Sequence, residues 1–363
     1  MHLVINATEV GRRRGGNESF ISGLIEGLAE LHHSHRVSLL MSQWDSPPHL
    51  PSHFHQLNLG TYRRLPFLLW QQTIALRRLR ADWYLANFFL PLYTPCHGAI
   101  MVYDLSFRAH PEYFPRTVAW YMHWLTARSI RQTCRVLTSS EFSRRELHRF
   151  YPVDEDKVAI VPGGVSPRFQ PVSNKTDMAA EQFALSRYGI TGPYILALGN
   201  IHPRKNLACL LDAYLRLRQE RDMVPPMVWG GMERWGSGEL LERARSAGVI
   251  LPGFIAQEHL PILYRQAMML VYPSLYEGFG LPPLEAMASG TPVITSNSTS
   301  LPEVVGDAGL TVDPNSVEEI ADAMARVLED RSLRQRLQQA SVERARQFTW
   351  TNAARRLLET LES

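Results

Sequence analysis

Short apolar runs recur along the chain and have the length and composition of buried β-strands. They are residues 3–6, 37–41, 99–103, 136–140, 158–162, 194–198, 227–231, 249–254, 269–272 and 292–295. Between them, apolar residues recur every three to four positions, which is the period of an amphipathic helix. The clearest helical stretches are 18–31, 116–134, 207–217, 260–267, 317–328 and 333–347. Because strands alternate with helices throughout, the pattern predicts an α/β protein with parallel sheets.

A polar stretch near the middle of the chain divides this pattern into two parts. Gly163 and Gly164 follow the fifth apolar run, and mostly polar residues continue to about Thr176. A chain of 363 residues is long enough for two domains of ordinary size. We predict a first domain over residues 1–172, a second over 173–348 and a terminal helix over 349–363.

The most informative stretch for function lies between the last two apolar runs. It reads Glu277, Gly278, Phe279, Gly280, Leu281, two prolines, Leu284 and Glu285. The two prolines suit the first turn of a helix, so the backbone N–H groups of residues 278–281 are expected at a helix start, which attracts anions. The alternative is an ordinary strand–turn–helix in which Glu277 and Glu285 are surface acids.

Two glutamates separated by seven residues, with a Gly-Phe-Gly core, resemble the E-x7-E motif of retaining glycosyltransferases of family 4 (group 1), and mannosyltransferases in particular. The resemblance implies the GT-B fold, in which two Rossmann-like domains face a cleft. It implies that Glu277 holds the donor sugar and that Glu285 holds the ribose of a nucleotide sugar. Gly278, Phe279, Gly280 and Leu281 then form the part of the donor site that meets the diphosphate.

A basic turn follows the apolar run 194–198. The resembled family has Gly-Arg, four residues and then Lys at this turn; Gly199 and Lys205 match, whereas Asn200 replaces the arginine. We therefore expect Arg204 to supply the second positive charge, so that Arg204 and Lys205 stabilise the departing nucleoside diphosphate. The alternative is a pair of solvated basic residues before a helix.

The resemblance implies further site residues. Gly15 and Gly16 match paired glycines that approach the donor diphosphate, and Gly253 lies in the segment that the family places near the nucleotide base. Asp104 matches a family aspartate at the carboxyl end of a strand, where ligands bind in open α/β sheets. Asp104 has the alternative role of a turn cap. Tyr103 stands where many family members have a histidine that reaches the donor sugar.

Composition places the chain among cytoplasmic globular proteins. Hydrophobic residues make up 45% of the sequence, enough for two cores, yet no apolar stretch approaches the ~18 residues of a membrane span. The chain starts with a strand-like run, so we expect no signal peptide. Cys96, Cys134 and Cys209 are odd in number and far apart, which fits a reducing compartment and buried thiols.

Positive charge is concentrated in the first part of the chain. Residues 1–170 contain 19 Lys and Arg against 13 Asp and Glu, a net charge of +6, whereas residues 171–363 carry −3. Arg12, Arg13 and Arg14 are consecutive, and residues 62–85 combine five arginines with many apolar residues. This composition fits peripheral contact with an anionic membrane and a lipid-linked acceptor; the alternative is a core helix with a solvated face. We expect no nucleic-acid partner.

These features together predict a retaining glycosyltransferase that moves a hexose from a nucleotide-diphosphate sugar to a glycan or lipid-linked acceptor. Mannose from GDP-mannose is the first candidate. We expect no cofactor and no metal, because no Asp-x-Asp motif ends a strand and the histidines at 49, 53 and 55 lie in a proline-rich loop without a fixed frame.

Two other functions remain open. A GT-B sugar-nucleotide epimerase would need no acceptor, and a non-catalytic nucleotide-sugar-binding subunit would need no turnover. A dinucleotide oxidoreductase is disfavoured, because no G-x-G-x-x-G with an acid beyond it follows a strand.

Overall fold

A computed structural model of the protein describes residues 1–12, 15–42, 53–61, 63–174, 176–232 and 238–363. Arg13, Arg14, His49 and Tyr62, which were singled out above, lie outside these ranges. The chain forms two compact units, one of Met1–Gly164 with Phe348–Ser363 and one of Val165–Gln347. The change of unit therefore falls at the Gly163–Gly164 pair, whereas the predicted boundary lies at residue 172.

The first unit alternates strands with helices. Its strands are β1 (His2–Asn6), β2 (Arg36–Met41), β3 (His55–Asn58), β4 (Trp83–Asn87), β5 (His97–Val102), β6 (Arg135–Thr138) and β7 (Val158–Ile160). Its helices within residues 1–164 are α1 (Gly16–Glu30), α2 (Arg64–Pro66), α3 (Gln72–Leu79), α4 (Ser106–Ala109), α5 (Arg116–Gln132) and α6 (Glu141–Phe150). A π-helical turn, Phe67–Gln71, joins α2 to α3.

The strands of the first unit pair in parallel in the order β3-β2-β1-β4-β5-β6-β7. The strand order reverses between β1 and β4, where Ile5 pairs with Leu85. Strand β1 is fully buried because helices cover both faces of a parallel sheet. In open α/β sheets, ligands bind at the carboxyl ends of the strands at such a reversal.

The second unit repeats this design. Its strands are β8 (Ile195–Leu198), β9 (Met227–Gly230), β10 (Ile250–Gly253), β11 (Met269–Tyr272), β12 (Val293–Ser296) and β13 (Leu310–Val312). Its helices are α7 (Met178–Ser186), α8 (Leu207–Glu220), α9 (Gly238–Ser246), α10 (Leu260–Arg265), α11 (Leu281–Ala288), α12 (Leu301–Val305), α13 (Val317–Glu329) and α14 (Arg331–Ala345). A last helix, α15 (Trp350–Glu362), follows.

The second sheet is also parallel, in the order β10-β9-β8-β11-β12-β13. Its order reverses between β8 and β11, where Leu196 pairs with Leu270. Trp229, Leu210 and Met324 belong to a buried cluster on one face of this sheet. The segments that follow β8 and β11 therefore lie side by side at the crevice of the second unit.

Helix α15 belongs to the first unit and packs against α1. Thr349 caps it by accepting a hydrogen bond from the N–H of Asn352 (3.1 Å). Trp350 lies over α1, where a Cβ atom on Gly23 would come within 2.0 Å of the indole. Since only glycine leaves this space, α1 is shaped to receive the helix that ends the chain.

Every predicted strand is present, but three strands were missed. Strand β3 is polar and exposed at the sheet edge, and β13 has only 3 residues, so neither shows a clear apolar run. Strand β4 was not predicted because its first three residues lie inside the amphipathic stretch 62–85. That stretch is helical from Arg64 to Leu79 and then becomes β4. None of the helices in the described ranges combines the length and apolar character that a bilayer crossing requires.

Candidate functional site

The turn after β8 carries the two predicted cations. Residues Pro203–Lys205 form a 3-10 turn whose start is held by His202, which accepts a hydrogen bond from the N–H of Arg204 through Nδ1 (3.2 Å). The carbonyl of Arg204 accepts a hydrogen bond from the N–H of Leu275 (2.8 Å), in the loop that follows β11. The backbone thus ties the basic turn to the loop that carries Glu277.

Glu277 bridges the two cations. Its Oε2 accepts a hydrogen bond from Nη1 of Arg204 and its Oε1 accepts one from Nζ of Lys205, each at 2.6 Å. All three side chains are largely buried, so Arg204 and Lys205 are not the solvated pair of the alternative interpretation. Burial by itself would raise the pKa of Glu277, but Arg204 and Lys205 outweigh it and lower the pKa to about 2. Glu277 is therefore an anion throughout the physiological pH range.

The loop between Glu277 and α11 is held in one shape. Gly280 has φ +124°, and a Cβ atom there would lie 2.8 Å from Cδ2 of Leu301, so any side chain would strain the loop. Ser300 donates bifurcated hydrogen bonds to the carbonyls of Glu277 (2.9 Å) and Phe279 (2.8 Å). Residues 278–281 accordingly lie between Glu277 and the start of α11, as the motif predicts.

Glu285 lies further along α11 and has different partners. Its Oε2 accepts a hydrogen bond from the hydroxyl of Tyr264 (2.9 Å), a residue of α10. Burial raises the pKa of Glu285 to about 7, and the hydrogen bond from Tyr264 and the charge of Arg168 oppose this shift only in part. The two acids of the motif therefore have opposite pKa shifts: Glu277 stays ionised, whereas Glu285 changes its charge near neutral pH.

Two further glycines mark the crevice of the second unit. Gly199 ends the strand segment before the basic turn with φ +133°, and its missing Cβ leaves room for Cε of Lys205, which would lie 3.2 Å away. Gly253 is the last residue of β10, and its carbonyl accepts a hydrogen bond from the N–H of Gly231 (2.8 Å). The next residue, Phe254, exposes 39% of its surface, which suits a flat apolar ligand group.

Gly15 and Gly16 lie at the start of α1, after β1. Gly15, with φ +95°, precedes the helix, and Gly16 is its first residue. Glu18 in the first turn is buried and accepts a hydrogen bond through Oε1 from the N–H of Gly11 (2.8 Å). This hydrogen bond ties Gly11 to the first turn of α1.

Asp104 caps a turn. Its Oδ1 accepts hydrogen bonds from the N–H (2.9 Å) and the hydroxyl (2.7 Å) of Ser106, at the start of α4. The capping role is therefore present in the structure, and it occupies one carboxylate oxygen. The predicted role toward the donor remains a prediction.

Tyr103, at the position of the family histidine, points into the first unit. Its hydroxyl donates a hydrogen bond to Oδ1 of Asn87 (2.8 Å), and Nδ2 of Asn87 donates to the carbonyl of Asn6 (3.0 Å). Burial, together with the charge of Glu9, raises the pKa of Tyr103 well above its usual value. Tyr103 is therefore a neutral residue that joins the ends of β1, β4 and β5, and it does not supply the titratable group of a histidine.

The structure thus brings Arg204, Lys205 and Glu277 into direct contact and places Glu285 on the adjoining helix. Asp104, Gly15 and Gly16 belong to the other unit. Three contributors were missed from the sequence: Ser300, Tyr264 and Tyr272, whose hydroxyl donates to Oε1 of Glu277 (3.1 Å). Of these three, only Tyr272 could have been predicted from the sequence. It is the last residue of an apolar run, and ligands bind at the carboxyl ends of parallel strands.

Among the described residues, no three His, Cys, Asp or Glu side chains lie close enough together to hold a metal ion. Of the three histidines in the proline-rich loop, only His53 and His55 belong to the described part of the chain.

Two protein families match this chain, one over each of its two parts. Residues 183–344 match the family described as Glycosyl transferases group 1, and residues 14–169 match Glycosyltransferase Family 4. O-antigen chain mannosyltransferase B of Escherichia coli is 38% identical over 271 residues, which cover 73% of this chain and 70% of that protein. The serotype-specific mannosyltransferase WbdA of Escherichia coli is 32% identical over 232 residues, which cover 62% of this chain but only 28% of that protein.

The fold has close structural counterparts. Sucrose-phosphate synthase from Thermosynechococcus elongatus superposes with a TM-score of 0.79 at 19% identity, covering 100% of this chain and 98% of that one. Two parallel-sheet α/β units of this kind match glycosyltransferase structures of the GT-B class. The chain belongs to glycosyltransferase family 4 (glycosyl transferases group 1), and it is a glycosyltransferase.

Proposed function

We propose that the protein is a retaining hexosyltransferase that transfers mannose from GDP-mannose to a glycan acceptor hydroxyl. The choice of mannose is supported by its similarity to an O-antigen chain mannosyltransferase and to a serotype-specific mannosyltransferase. One observation carries the chemical part of the proposal: Glu277 holds Arg204 and Lys205 together at the crevice of the second sheet, beside the start of α11.

The proposed reaction replaces one bond at the anomeric carbon. The bond to the nucleoside diphosphate breaks, a bond to the acceptor oxygen forms with the same configuration, and the proton of the acceptor hydroxyl leaves with the departing diphosphate. Negative charge develops on the departing diphosphate, where Arg204, Lys205 and the N–H groups of residues 278–281 would stabilise it. Because fixed protein charges would meet the diphosphate, we propose that no metal ion is needed. We propose that Asp104 is the residue of the first unit that acts on the donor.

A donor screen tests this function. Thermal shift is measured with GDP-, UDP- and ADP-sugars, since a ligand at about 100 times its Kd stabilises a protein by ~2.7 kcal/mol. Release of nucleoside diphosphate is then followed with and without an oligomannose acceptor, and the anomeric configuration of the product is read by NMR. We expect GDP-mannose to be the preferred donor and the product to retain its configuration. Inversion, conversion of the sugar nucleotide without an acceptor, or binding without turnover would each contradict the proposal.

A second part of the proposal concerns an exposed apolar surface of the first unit, here called the aromatic surface. It consists of Leu65, Leu69, Trp70, Ile74, Leu92, Tyr93, Trp120 and Trp124, each at least 41% exposed. The loop with Leu92 and Tyr93 lies between its two helical parts: the N–H of Leu92 donates to the carbonyl of Leu68 (3.0 Å), and Nη2 of Arg128 in α5 donates to the carbonyl of Leu92 (2.7 Å).

Basic residues accompany the aromatic surface. Arg77 stacks on the ring of Tyr93 at 5.1 Å, Arg78 is exposed on the same helix, and Arg80 is exposed directly after the helix ends. Tryptophan, tyrosine and arginine on one face are the residues that favour the interface of an anionic bilayer. Each basic residue near such a surface contributes about 1 kcal/mol. We therefore propose peripheral binding to an anionic membrane, where a lipid-linked acceptor is presented from the cytoplasmic side.

Co-sedimentation with liposomes tests the membrane proposal. The wild type is expected to bind vesicles that contain phosphatidylglycerol, at low salt, and to lose most of this binding in pure phosphatidylcholine or at high salt. The double variant Trp120→Ser/Trp124→Ser should bind at least tenfold more weakly, whereas Phe183→Ser, an equally exposed aromatic of the second unit, should not change binding. Equal binding by both variants would refute the assigned surface.

A further inference from the structure

Tyr272 lies at the centre of the candidate site, although no part of the proposed function uses it. It is the last residue of β11, and only 3% of it is exposed. Its ring lies in the core of the second unit, while its hydroxyl reaches the two charged groups after β8 and β11. It accepts a hydrogen bond from Nζ of Lys205 and donates one to Oε1 of Glu277 (3.1 Å).

The chemistry of the three groups determines the direction of these hydrogen bonds. An ammonium group only donates, and an ionised carboxylate only accepts. The phenol of Tyr272 must therefore give its single proton to Glu277 and receive one from Lys205. Burial, and then the charge of Glu277, raises the pKa of Tyr272 well above its usual value, so this arrangement persists at neutral pH.

The hydroxyl also closes a triangle. Nζ of Lys205 lies 2.6 Å from Oε1 of Glu277, and both atoms contact the oxygen of Tyr272. A lysine side chain has four rotatable bonds, and the phenol gives its ammonium a fixed acceptor beside Glu277. The buried phenol has no such freedom, because its ring is held in the core.

We propose that Tyr272 is a positioning residue that fixes the ammonium of Lys205 for the diphosphate of the donor. This inference rests on the proposed function of the site. It implies that the hydroxyl matters for ligands that carry a second phosphate and has little effect on ligands without one. The competing explanation is that Tyr272 is an ordinary core tyrosine that satisfies its hydroxyl with the nearest polar atoms.

Binding of GDP and GMP to the apoprotein, measured by calorimetry, separates the two explanations. In Tyr272→Phe, the affinity for GDP should fall about tenfold while the affinity for GMP stays within twofold of wild type, because hydrogen bonds to charged groups are among the stronger ones. If Tyr272 has only a structural role, Tyr272→Phe should lower the affinities for GDP and GMP by the same factor. Equal losses, or no loss, would overturn the proposal.

A matched control is available in the same unit. Tyr194 is 1% exposed, and its hydroxyl donates to the carbonyl of Leu263 (2.5 Å), with no charged side chain as its hydrogen-bond partner. Tyr194→Phe removes the same atom from the same core and should leave the ratio of GDP to GMP affinity unchanged. A change in that ratio equal to the one in Tyr272→Phe would show that any lost core hydroxyl has this effect.

A double-mutant cycle tests whether Tyr272 acts through Lys205. If Tyr272 acts through Lys205, Tyr272→Phe should have no further effect on GDP affinity in a Lys205→Ala background. Additive losses would refute the coupling. If the proposed function is wrong, the wild type itself should show no preference for GDP over GMP. That result is distinct from any change caused by Tyr272→Phe.

Discussion

Glu285→Gln gives the sharpest test of the electrostatics of the candidate site. Burial raises the pKa of Glu285 from 4.5 to about 7, so the folded protein binds a proton that the unfolded chain releases. A raised carboxyl pKa favours the fold fully below pH 4.5, and this contribution disappears as the pH rises to 7. Glutamine removes the titration and keeps an oxygen that can accept the hydrogen bond from Tyr264.

The size of the effect follows from the shift. Each pKa unit corresponds to about 1.4 kcal/mol, so the full change amounts to ~3 kcal/mol of unfolding free energy. About 2 kcal/mol of it falls between pH 5.5 and pH 8.5. For a unit of this size, 1 kcal/mol shifts Tm by about 2–4 °C. The Tm of Glu285→Gln minus the Tm of wild type should therefore be ~4–8 °C more positive at pH 8.5 than at pH 5.5.

Thermal unfolding of the ligand-free protein at both pH values measures this difference. Glu277→Gln is the matched control, because the pKa of Glu277 is lowered to about 2 and its contribution is lost only as the pH falls below 4.5. Its Tm difference from wild type should be negative and the same at pH 5.5 and pH 8.5. The reasoning is refuted if Glu285→Gln also shifts Tm equally at the two pH values.

Three further predictions concern the same region. Lys205→Ala should lower the turnover of sugar transfer on the order of 10²-fold, because a preorganised charge is lost, while Lys157→Ala, a partly exposed lysine of the first unit, should leave it unchanged; near-normal turnover in Lys205→Ala would remove this residue from the mechanism. Transfer activity should survive EDTA, and activity that disappears with EDTA and returns with Mg²⁺ or Mn²⁺ would contradict the roles given to the protein cations. Gly280→Ala should lower the unfolding free energy by about 1–2 kcal/mol, because of its φ of +124° and the close approach of Leu301, whereas Gly16→Ala, which has nothing within 4 Å of the new Cβ, should be neutral; equal melting temperatures for the two variants would contradict this account.

Much of the fold could be predicted because its signals are local. A buried parallel strand needs a short apolar run, and a covering helix needs an apolar stripe, so both show in the order of residues. The strands that were missed have weak local signals: β3 is polar and exposed at the sheet edge, and β13 is only 3 residues long. The E-x7-E spacing is local too, which is why the motif led directly to the second unit and to the class of enzyme.

The order of residues therefore predicts the alternation of elements, the glycosyltransferase motif and the candidate charges. The pairing of those charges depends on the tertiary structure. Arg204 lies 73 residues before Glu277 in the chain, yet the two meet because parallel strands β8 and β11 end at the same edge of the sheet. The opposite pKa shifts of Glu277 and Glu285 depend on burial and on such distant partners. No local pattern records either quantity, so two glutamates that look alike in the sequence differ in charge in the fold.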